Sequence, residues 1–537
     1  MFESIIRTPD LIAVKSGDKE FKGHGVLDNT DISVKTEVNQ NDLKIYVTAD
    51  KSELEIVRLR WNLTEPLKGR ILGDAWERGY GDMKWEGMVP HRAMPWYFFI
   101  HHMTETAGYG VKVRPSALCF WQVDPKGISL WLDVRNGGEG VILGGRQLLA
   151  ATVVSETYSG MNTFRAAQNF CKRMCDDPIF PHKPVYGANN WYYAYGHSSE
   201  DEILADTRYL AKLTKGLENR PYMVIDDCWQ LKRCDEYIGG PWISNKKFPD
   251  MKALADKICD QNCIPGIWIR FLLDNSEDIP QEWRLSHNNC LDPSHPDVIA
   301  QVKEDIKRIC GWGYRLIKHD FSTQDIFGKW GFQMQPFMAE SGWHFYDRSK
   351  TSAEIVVNFY REILDSAMPT DTLILGCNTI GHLGAGLMHM NRTGDDTSGI
   401  LWERVMRLGV NTLAFRMPQH RTFYDVDADC LGITEKIPWK YNRMWGELLG
   451  NSGTSLFVSV KPNVLTAEEE KELSEFMKNG SMQKYIAEPL DWEETTLPQY
   501  WKIGEKNVYY DWYEDTGLRV VRETGAIWEA LDSEKLF

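Results

Sequence analysis

The feature that most constrains the fold is a regular alternation of short apolar runs with amphipathic stretches, which begins near residue 184. The amphipathic stretches include residues 199–213, 297–310 and 352–367, where apolar residues recur with helical spacing. The apolar runs have the length and composition of buried strands. They cover residues 184–195, 221–227, 264–271, 315–321, 372–377, 387–392, 410–416 and 455–460. Eight strands that alternate with helices predict a closed parallel (β/α)8 barrel, or TIM barrel, with right-handed crossovers.

The rest of the chain has a different pattern, which predicts a multidomain α/β protein. In residues 1–175 apolar and polar residues alternate with period two between turn residues, as expected for an N-terminal antiparallel β-sandwich. Residues 176–480 then hold the barrel, and residues 481–537 are β-rich again and predict a small C-terminal β-sheet domain. A chain of 537 residues is also too long for one compact core.

Charge and composition exclude several classes of function. The net charge is −15 and no basic stripe is present, which argues against nucleic acid and anionic membrane surfaces as partners. No run of about 18 apolar residues predicts a membrane span, and the N-terminus lacks the pattern of a signal peptide, so a cytoplasmic location is expected. The 11 cysteines have no paired spacing, which favours free thiols over a disulfide framework. The 21 Trp, 22 Tyr and 21 Phe suit the faces of sugar rings, but they also suit ordinary cores.

The fourth apolar run ends in a lysine and an aspartate two residues apart. Strand side chains alternate faces, so Lys318 and Asp320 are expected to point the same way, at the end of the barrel where such folds keep their active sites. An ammonium group beside a carboxylate favours its ionised form, which a carboxylate nucleophile requires. A purely structural ion pair is the alternative reading.

Polar and aromatic residues also follow other predicted strands. Asp226 and Asp227 end the second run, where they could accept hydrogen bonds from sugar hydroxyls or could cap a helix and pair with a base. Trp268 ends the third run and could line a sugar pocket or pack in the core. Residues 391–398 contain Asp395 and Asp396 within a segment that could equally form a turn and a helix N-cap.

Four such strand ends in one predicted barrel favour an active site over four unrelated features. They supply two candidate carboxylates on different strands, Asp320 and one of Asp395 or Asp396. Two opposed carboxyl groups are the minimum needed for glycoside hydrolysis.

The three motifs in this order resemble a known family. Residues 226–229, the pair Lys318 and Asp320, and residues 392–397 are together similar to the clan of retaining α-galactosidases and α-N-acetylgalactosaminidases (clan D). The closer resemblance is to glycoside hydrolase family 36, the melibiase and raffinose-type α-galactosidases. That family has the same order of sandwich, barrel and C-terminal sheet, so the resemblance covers essentially the whole chain.

The resemblance implies a role for each matching residue. Asp320 matches the catalytic nucleophile and Asp396 matches the general acid/base, whereas Asp395 receives no catalytic step. No metal or organic cofactor is implied. The residues implied to contact the sugar are Asp226 and Asp227 on the O4 and O6 side, Lys318, Trp268 as an aromatic wall, Arg392, Cys377 and Asn378 near C2, and Trp76 from the N-terminal domain over the pocket.

The implied reaction is a double displacement that needs Asp320 ionised, Asp396 protonated through a raised pKa, and about 5–5.5 Å between the two carboxyl groups. Residues 378–383 depart from the glycine-rich run of many family members, so the sugar stays open between α-linked galactose and N-acetylgalactosamine. His382 and His389 in that region are expected to be structural.

Two other readings stay open: an inactive sugar-binding protein on this scaffold, and an unrelated barrel enzyme such as a metal-dependent isomerase. The second would need clustered His and acidic ligands. The sequence leaves the protein either a monomer or a homo-oligomer.

Overall fold

A computed structural model describes residues 2–231 and 239–513, together with the backbone of two short paired strands, Arg519–Arg522 and Trp528–Leu531. Parts of the predicted C-terminal domain, residues 514–518, 523–527 and 532–537, lie outside the described residues.

The N-terminal region consists of two antiparallel sheets, as the period-two pattern predicts. In Leu43–Ala49 every second side chain is buried, because successive side chains of a strand point to opposite faces of its sheet. The first sheet has the order Lys19–Gly23, Leu11–Ser16, Ile56–Asn62, Gly127–Asp133, Leu118–Asp124 and Met94–Pro95. The second has the order Leu27–Asp28, Ile32–Val38, Leu43–Ala49, Leu148–Ser159, Glu105–Val111, Tyr97–His102 and Arg70–Gly73.

The central region is a closed barrel of eight parallel strands, which confirms the predicted fold class. Neighbouring strands pair in chain order, and the eighth strand pairs with the first. The strands are β1 (Tyr186–Asn189), β2 (Tyr222–Ile225), β3 (Ile264–Ile269), β4 (Leu316–His319), β5 (Leu373–Gly376), β6 (Met390–Arg392), β7 (Asp425–Ile433) and β8 (Ser455–Val460).

Helices surround the barrel and begin and end where the sequence carries capping residues. The helix Ser352–Ala367 begins at a capping box formed by Thr351 and Glu354, and Pro296–Trp312 ends at Gly313 with φ 107°. The helix Thr163–Met174 precedes the barrel. The other α-helices are Trp191–Ala194, Glu200–Leu213, Met251–Asp260, Ser322–Phe327, Gly381–Gly384, Trp402–Arg404, Thr412–Arg416, Trp439–Ser452 and Ala467–Gly480. Shorter helical turns are Gln281–Trp283, Gly331–Gln333, Met368–Thr370 and Met417–Gln419, with a π-helix at Val405–Asn411.

The predicted seventh strand, residues 410–416, is wrong. That segment is helical and follows directly on the π-helix, whereas the true seventh strand is β7. The helical segment is buried throughout, and its apolar residues Val410, Leu413, Ala414 and Phe415 are also typical of a central strand. By contrast, Asp425, Asp427 and Asp429 interrupt the apolar character of β7, although all three are buried. The predicted first strand was also too long, since β1 ends at Asn189.

Beyond the barrel, the strands Glu488–Pro489, Tyr500–Ile503 and Lys506–Tyr509 form a three-stranded antiparallel sheet. Trp501 and Trp512 are fully buried there, and the indole of Trp402 donates a hydrogen bond to the carbonyl of Trp512 over 3.0 Å. The predicted small C-terminal sheet is therefore present. Among the described residues, no helix has the length and apolar character needed to cross a lipid bilayer.

Candidate active site

A cavity of about 280 Å³ opens at the carboxyl ends of the barrel strands. Chemistry in barrel enzymes is placed at this end, because the loops that follow the strands converge there. Seven of the residues singled out from the sequence line the cavity: Asp226, Asp227, Trp268, Lys318, Asp320, Asp395 and Asp396. The rest of the wall comes from Arg78, Trp191, Phe321 and Trp330.

Asp320 follows β4 directly and is held by donors on both oxygens. Its Oδ2 accepts a hydrogen bond from the indole Nε1 of Trp268 over 2.9 Å, and its Oδ1 accepts one from the backbone N–H of Phe321 over 2.7 Å. Phe321 has φ 64°, a left-handed conformation that turns the chain sharply at the strand end. Two fixed donors orient the Asp320 carboxylate, which is 8% exposed, towards the cavity.

Lys318 does not pair with Asp320 as the sequence predicted. Its Nζ donates instead to Oδ2 of Asp226 over 2.8 Å, and Nδ2 of Asn189 donates to the same oxygen over 2.6 Å. Burial alone would lower the pKa of Lys318, but the surrounding negative groups, of which Asp226 has the largest effect, together outweigh burial and raise that pKa well above its usual range. The lysine is therefore charged, and its ion pair joins β4 to the end of β2.

Asp227 is held by its own loop. Its Oδ1 accepts hydrogen bonds from the backbone N–H of Cys228 over 2.7 Å and from Nε2 of Gln230 over 2.6 Å. Asp226 and Asp227 are both 4% exposed and both line the cavity. Ionised carboxylates only accept hydrogen bonds, so this wall suits a ligand rich in hydroxyl donors.

Asp396 lies beside an arginine at the end of β6. Nη2 of Arg392 is 3.2 Å from Oδ1 of Asp396 and 3.0 Å from Oδ2 of Asp429, which belongs to β7. Arg392 is fully buried behind the cavity wall, whereas the side chain of Asp396 is 40% exposed. Arg392 therefore contacts the Asp396 carboxylate and not the open cavity.

The predicted raised pKa of Asp396 is wrong. Burial raises the pKa, but the positive charges of Arg392, Arg78, Lys318 and Arg404 together outweigh it and lower the pKa to about 2. Asp396 is therefore ionised at neutral pH.

Asp395 makes an ion pair with the N-terminal region. Nη2 of Arg78 lies 2.7 Å from its Oδ1, and Nη2 of Arg404 lies 3.6 Å from its Oδ2. The backbone N–H of Asp395 also donates to the carbonyl of Gly79 over 3.0 Å. These contacts place Asp395 on the wall of the cavity between two arginines.

Besides Arg392, three more residues predicted to contact the sugar do not lie on the cavity wall. Trp76 is 1% exposed because its ring packs edge-on against Trp96 and Phe120 in the N-terminal core, with ring centres 5.2 and 6.1 Å away. The thiol of Cys377 accepts a hydrogen bond from Nη1 of Arg392 over 3.4 Å.

The third of them, Asn378, is buried and donates from its Nδ2 to Glu77. Its Oδ1 accepts the backbone N–H of Gln324 over 3.1 Å. Cys377 and Asn378 therefore lie behind the cavity wall, as Arg392 does.

Four residues of the wall were not predicted from the sequence, and one of them, Phe321, directly follows Asp320. Trp330 lies in the loop after β4, Trp191 begins the helical turn after β1, and Arg78 comes from the N-terminal region. Trp191 lies within the first predicted strand, close to its true end at Asn189. An aromatic residue at a strand end could therefore have been predicted to line the cavity, as Trp268 was. Nothing in the local sequence of Trp330 or Arg78 distinguishes them.

The two histidines have structural surroundings. The ring of His382 stacks on Trp96 with centres 5.0 Å apart, its Nε2 is 3.1 Å from the carbonyl oxygen of Val111, and burial lowers its pKa to about 3. The Nδ1 of His389 accepts the backbone N–H of Ile374 over 3.1 Å. Within residues 2–231 and 239–513, no three His, Cys, Asp or Glu side chains are grouped as metal ligands.

Solved structures that are similar to this chain include several glycoside hydrolases. The α-galactosidase from Thermus thermophilus, solved with p-nitrophenyl α-D-galactopyranoside, superposes with a TM-score of 0.60 at 15% identity, over 93% of this chain and 98% of that one. The GH36 α-galactosidase AgaA from Geobacillus stearothermophilus also gives 0.60 at 15% identity, over 96% and 81%. The chain has the fold of these enzymes. A GH31 sulfoquinovosidase from E. rectale is similar as well, with a TM-score of 0.57 at 11% identity over 97% and 89%. No family model matches the sequence.

Proposed function

We propose that the protein is a retaining, exo-acting glycoside hydrolase that releases terminal α-linked D-galactose from oligosaccharides or glycoconjugates. The observation that carries this proposal is the pair of carboxylates, Asp320 from β4 and Asp396 from the loop after β6, on the wall of one cavity. Two carboxyl groups from different strands, with a wall of hydroxyl-binding groups between them, suit the cleavage of a glycosidic bond.

In the first step a carboxylate oxygen of Asp320 forms a bond to the anomeric carbon, and the bond from that carbon to the glycosidic oxygen breaks. Asp396 gives its proton to the departing oxygen, so the leaving group departs as a neutral alcohol. In the second step Asp396 takes a proton from water, the water oxygen attacks the anomeric carbon, and the bond to Asp320 breaks. The two inversions give net retention.

Because the surrounding positive charges lower the pKa of Asp396 to about 2, we infer that Asp396 takes up its proton when the substrate binds. A bound sugar covers Asp396 and displaces water, which strengthens the effect of burial that already opposes the arginine charges. Asp396 would then become protonated, and so able to act as the general acid, when the substrate binds. Substrate binding should therefore be accompanied by proton uptake.

We favour galactose over N-acetylgalactosamine as the sugar. An acetamido group at C2 needs hydrogen-bond partners, and Asn378, which the resemblance places near C2, lies behind the cavity wall with its amide engaged by Glu77 and Gln324. A buried acetamido group without partners would lose about 1–3 kcal/mol of binding free energy.

Paired assays with p-nitrophenyl α-D-galactoside and p-nitrophenyl α-D-N-acetylgalactosaminide test the proposal. We expect the galactoside to be hydrolysed with the larger kcat/KM, and the α-anomer of galactose to appear first in NMR spectra of the reaction. Faster hydrolysis of the N-acetylgalactosaminide would reassign the sugar, and a first-formed β-anomer would refute retention.

Two variants test the assigned residues. Asp320→Asn should abolish turnover with the far-UV circular dichroism unchanged, and Asp396→Ala with added azide should regain activity and form α-galactosyl azide. The matched control is Asp124→Asn, since Asp124 pairs with Arg60 in the N-terminal sheet, away from the cavity. If the azide product had the β configuration, Asp396 would be the nucleophile and Asp320 the general acid/base.

A further inference from the structure

Residues 74–80 of the N-terminal region, here called the bridging loop, are attached to the barrel region at their start. Oδ1 of Asp74 accepts hydrogen bonds from Nε and Nη2 of Arg416 over 3.1 and 2.9 Å. Its Oδ2 accepts one from Nε2 of Gln419 over 2.9 Å. The Asp74 and Arg416 side chains are 4% and 2% exposed, so the bridging loop begins at a buried ion pair.

The end of the bridging loop is hydrogen-bonded to the loop that carries the proposed general acid/base. The backbone N–H of Gly79 donates to the carbonyl of Thr393 over 2.8 Å, and the backbone N–H of Asp395 donates back to the carbonyl of Gly79 over 3.0 Å. Gly79 and Gly394 thus form a parallel β-bridge. Nη2 of Arg78 also lies 2.7 Å from Oδ1 of Asp395. The backbone next to the general acid/base is therefore bound to the N-terminal region.

Glu77 lies in the middle of the bridging loop, and its fully buried carboxyl group accepts three hydrogen bonds. Its Oε1 accepts from the backbone N–H of Gly331 over 3.0 Å and from the hydroxyl of Tyr80. Its Oε2 accepts from Nδ2 of Asn378. Gly331 belongs to the segment after β4 and Asn378 to the segment after β5. One side chain of the N-terminal region therefore joins two loops of the barrel.

Asn378 continues this connection towards the proposed nucleophile. Its Oδ1 accepts the backbone N–H of Gln324 over 3.1 Å, and its backbone carbonyl accepts the backbone N–H of Thr323 over 3.2 Å. Both donors lie in the first turn of the helix Ser322–Phe327, which begins two residues after Asp320. The position of Asn378 therefore constrains the backbone that directly follows the nucleophile.

We propose that Glu77 is a positioning residue, which holds Asp396 at its working distance from Asp320. This inference rests on the proposed function, in which these two residues are the general acid/base and the nucleophile. On one side Glu77 is joined through Asn378 to the helix after Asp320, and on the other it is two residues from Gly79. Double displacement needs the two carboxyl groups about 5–5.5 Å apart. A misplacement of about 1 Å can cost about 100-fold in rate.

Pairing of the barrel strands does not by itself fix this distance. Asp396 lies beyond the end of β6, and β5 separates β6 from β4, which Asp320 follows. The side chain of Asp396 is held by Arg392, and its carbonyl accepts a hydrogen bond from Nη2 of Arg404 over 2.9 Å. Gly79 adds a backbone connection that leads, through the bridging loop, to the segments around Asp320. The distance between the two carboxyl groups therefore depends on the N-terminal region as well as on the barrel.

The variant Glu77→Gln tests the proposal with two substrates that differ only in the leaving group. Whichever way the amide is oriented, its NH2 group faces a donor, either Nδ2 of Asn378 or the N–H of Gly331. We expect kcat/KM for phenyl α-D-galactoside to fall by about 100-fold, because phenolate is a poor leaving group that needs a well-placed acid. The kcat/KM for p-nitrophenyl α-D-galactoside should fall less than about tenfold, because nitrophenolate is the more stable anion and leaves with less help.

A compensating change tests whether the hydrogen bond itself is responsible. In the double variant Glu77→Gln with Asn378→Asp, the amide donates to the new carboxylate, and its carbonyl oxygen still accepts from Gly331. The other oxygen of that carboxylate can still accept from the N–H of Gln324. We expect the double variant to regain at least about tenfold in kcat/KM for phenyl galactoside relative to Glu77→Gln, since residues in contact are not additive.

Equal losses with the two substrates would overturn the proposal and leave Glu77 a purely structural residue. A double variant no more active than Glu77→Gln would overturn it as well. A wild type that hydrolyses neither galactoside would instead refute the proposed function, so the two failures are distinguishable.

A second variant and a control keep the test independent of folding. Gly331→Ala disturbs the same contact from the barrel side, because a Cβ there would lie 2.5 Å from Cγ of Glu77, and it should show the same selective loss with phenyl galactoside. Glu488→Gln is the matched control. Glu488 is 3% exposed and also accepts a hydrogen bond from an asparagine amide, that of Asn162, but it lies outside the cavity. The control should leave the ratio of the two kcat/KM values unchanged.

Discussion

The ion pair between Lys318 and Asp226 gives the sharpest prediction about stability. The two side chains are 8% and 4% exposed and their charged atoms are 2.8 Å apart. The Lys318→Met variant keeps the length of the side chain but leaves the Asp226 carboxylate buried without its cation. Loss of one partner of a buried pair costs about 3–5 kcal/mol of unfolding free energy. Asp226 keeps two donors, Asn189 and the backbone N–H of Asp227, so we expect a loss of about 3 kcal/mol.

The pH dependence follows from the raised pKa of Lys318. A base whose pKa is raised by folding stabilises the folded state below its unfolded pKa of about 10.4 and loses that contribution as the pH rises through the folded value. The difference between wild type and Lys318→Met should therefore be constant from about pH 6 to pH 9 and should shrink only in stronger alkali.

Urea unfolding followed by tryptophan fluorescence and circular dichroism measures this effect, provided the two signals give coincident transitions. In the double variant Lys318→Met with Asp226→Asn both charges are gone, so stability should recover by about 2 kcal/mol relative to the single variant. Lys15→Met is the control, since Lys15 pairs with Glu55 at the surface and is 57% exposed, where a pair contributes at most about 1 kcal/mol. The reasoning is refuted if Lys318→Met costs no more than Lys15→Met, or if the double variant is the least stable of the three.

Two further predictions concern a titrating carboxyl group and a glycine. Burial raises the pKa of Asp206 to about 7, above its unfolded value of about 3.9, so this group costs stability progressively as the pH rises from about 4 to 7. Asp206→Asn should therefore unfold at a higher urea concentration than wild type at pH 8, but not at pH 4. The same difference in midpoint between variant and wild type at both pH values would contradict this. A Cβ on Gly394 would lie 2.3 Å from the carbonyl oxygen of Leu408, so Gly394→Ala must displace the loop of Asp396 and should lower kcat/KM at least tenfold on nitrophenyl galactoside. Gly87→Ala, where nothing lies within 4 Å, should not change it.

Most of the barrel was predictable because its strands are short, apolar and bounded by turns. The runs that gave β2, β3, β4, β5 and β8 each end close to the predicted residue, since a strand buried on both faces is a continuous apolar segment. The seventh strand was not predictable by the same rule. Asp425 is paired with the nearby Arg421, but Asp429 is paired with Arg392 from the end of β6, and no local pattern reveals that partner.

The candidate site was predictable to the extent that it lies at strand ends. Asp320 and Asp226 were found because each follows an apolar run directly, and both line the cavity. The partner of Lys318 was predicted incorrectly, since spacing along one strand says which way a side chain points but not which neighbouring strand supplies the nearest charge. Arg78 was missed because it reaches the cavity from the N-terminal region, more than 100 residues before the next lining residue, Trp191.

The alternation of aspartate with apolar residues in β7 also has a consequence before folding is complete. Asp425, Asp427 and Asp429 place three negative charges within five residues of a segment that otherwise has strong strand character. If two unfolded chains paired through this segment in register, each aspartate would lie next to its own copy, about 4.8 Å away and without a counterion. Such stacking is unfavourable because like charges repel. The three carboxylates, which are buried in the folded barrel, therefore disfavour aggregation of the nascent chain through this segment.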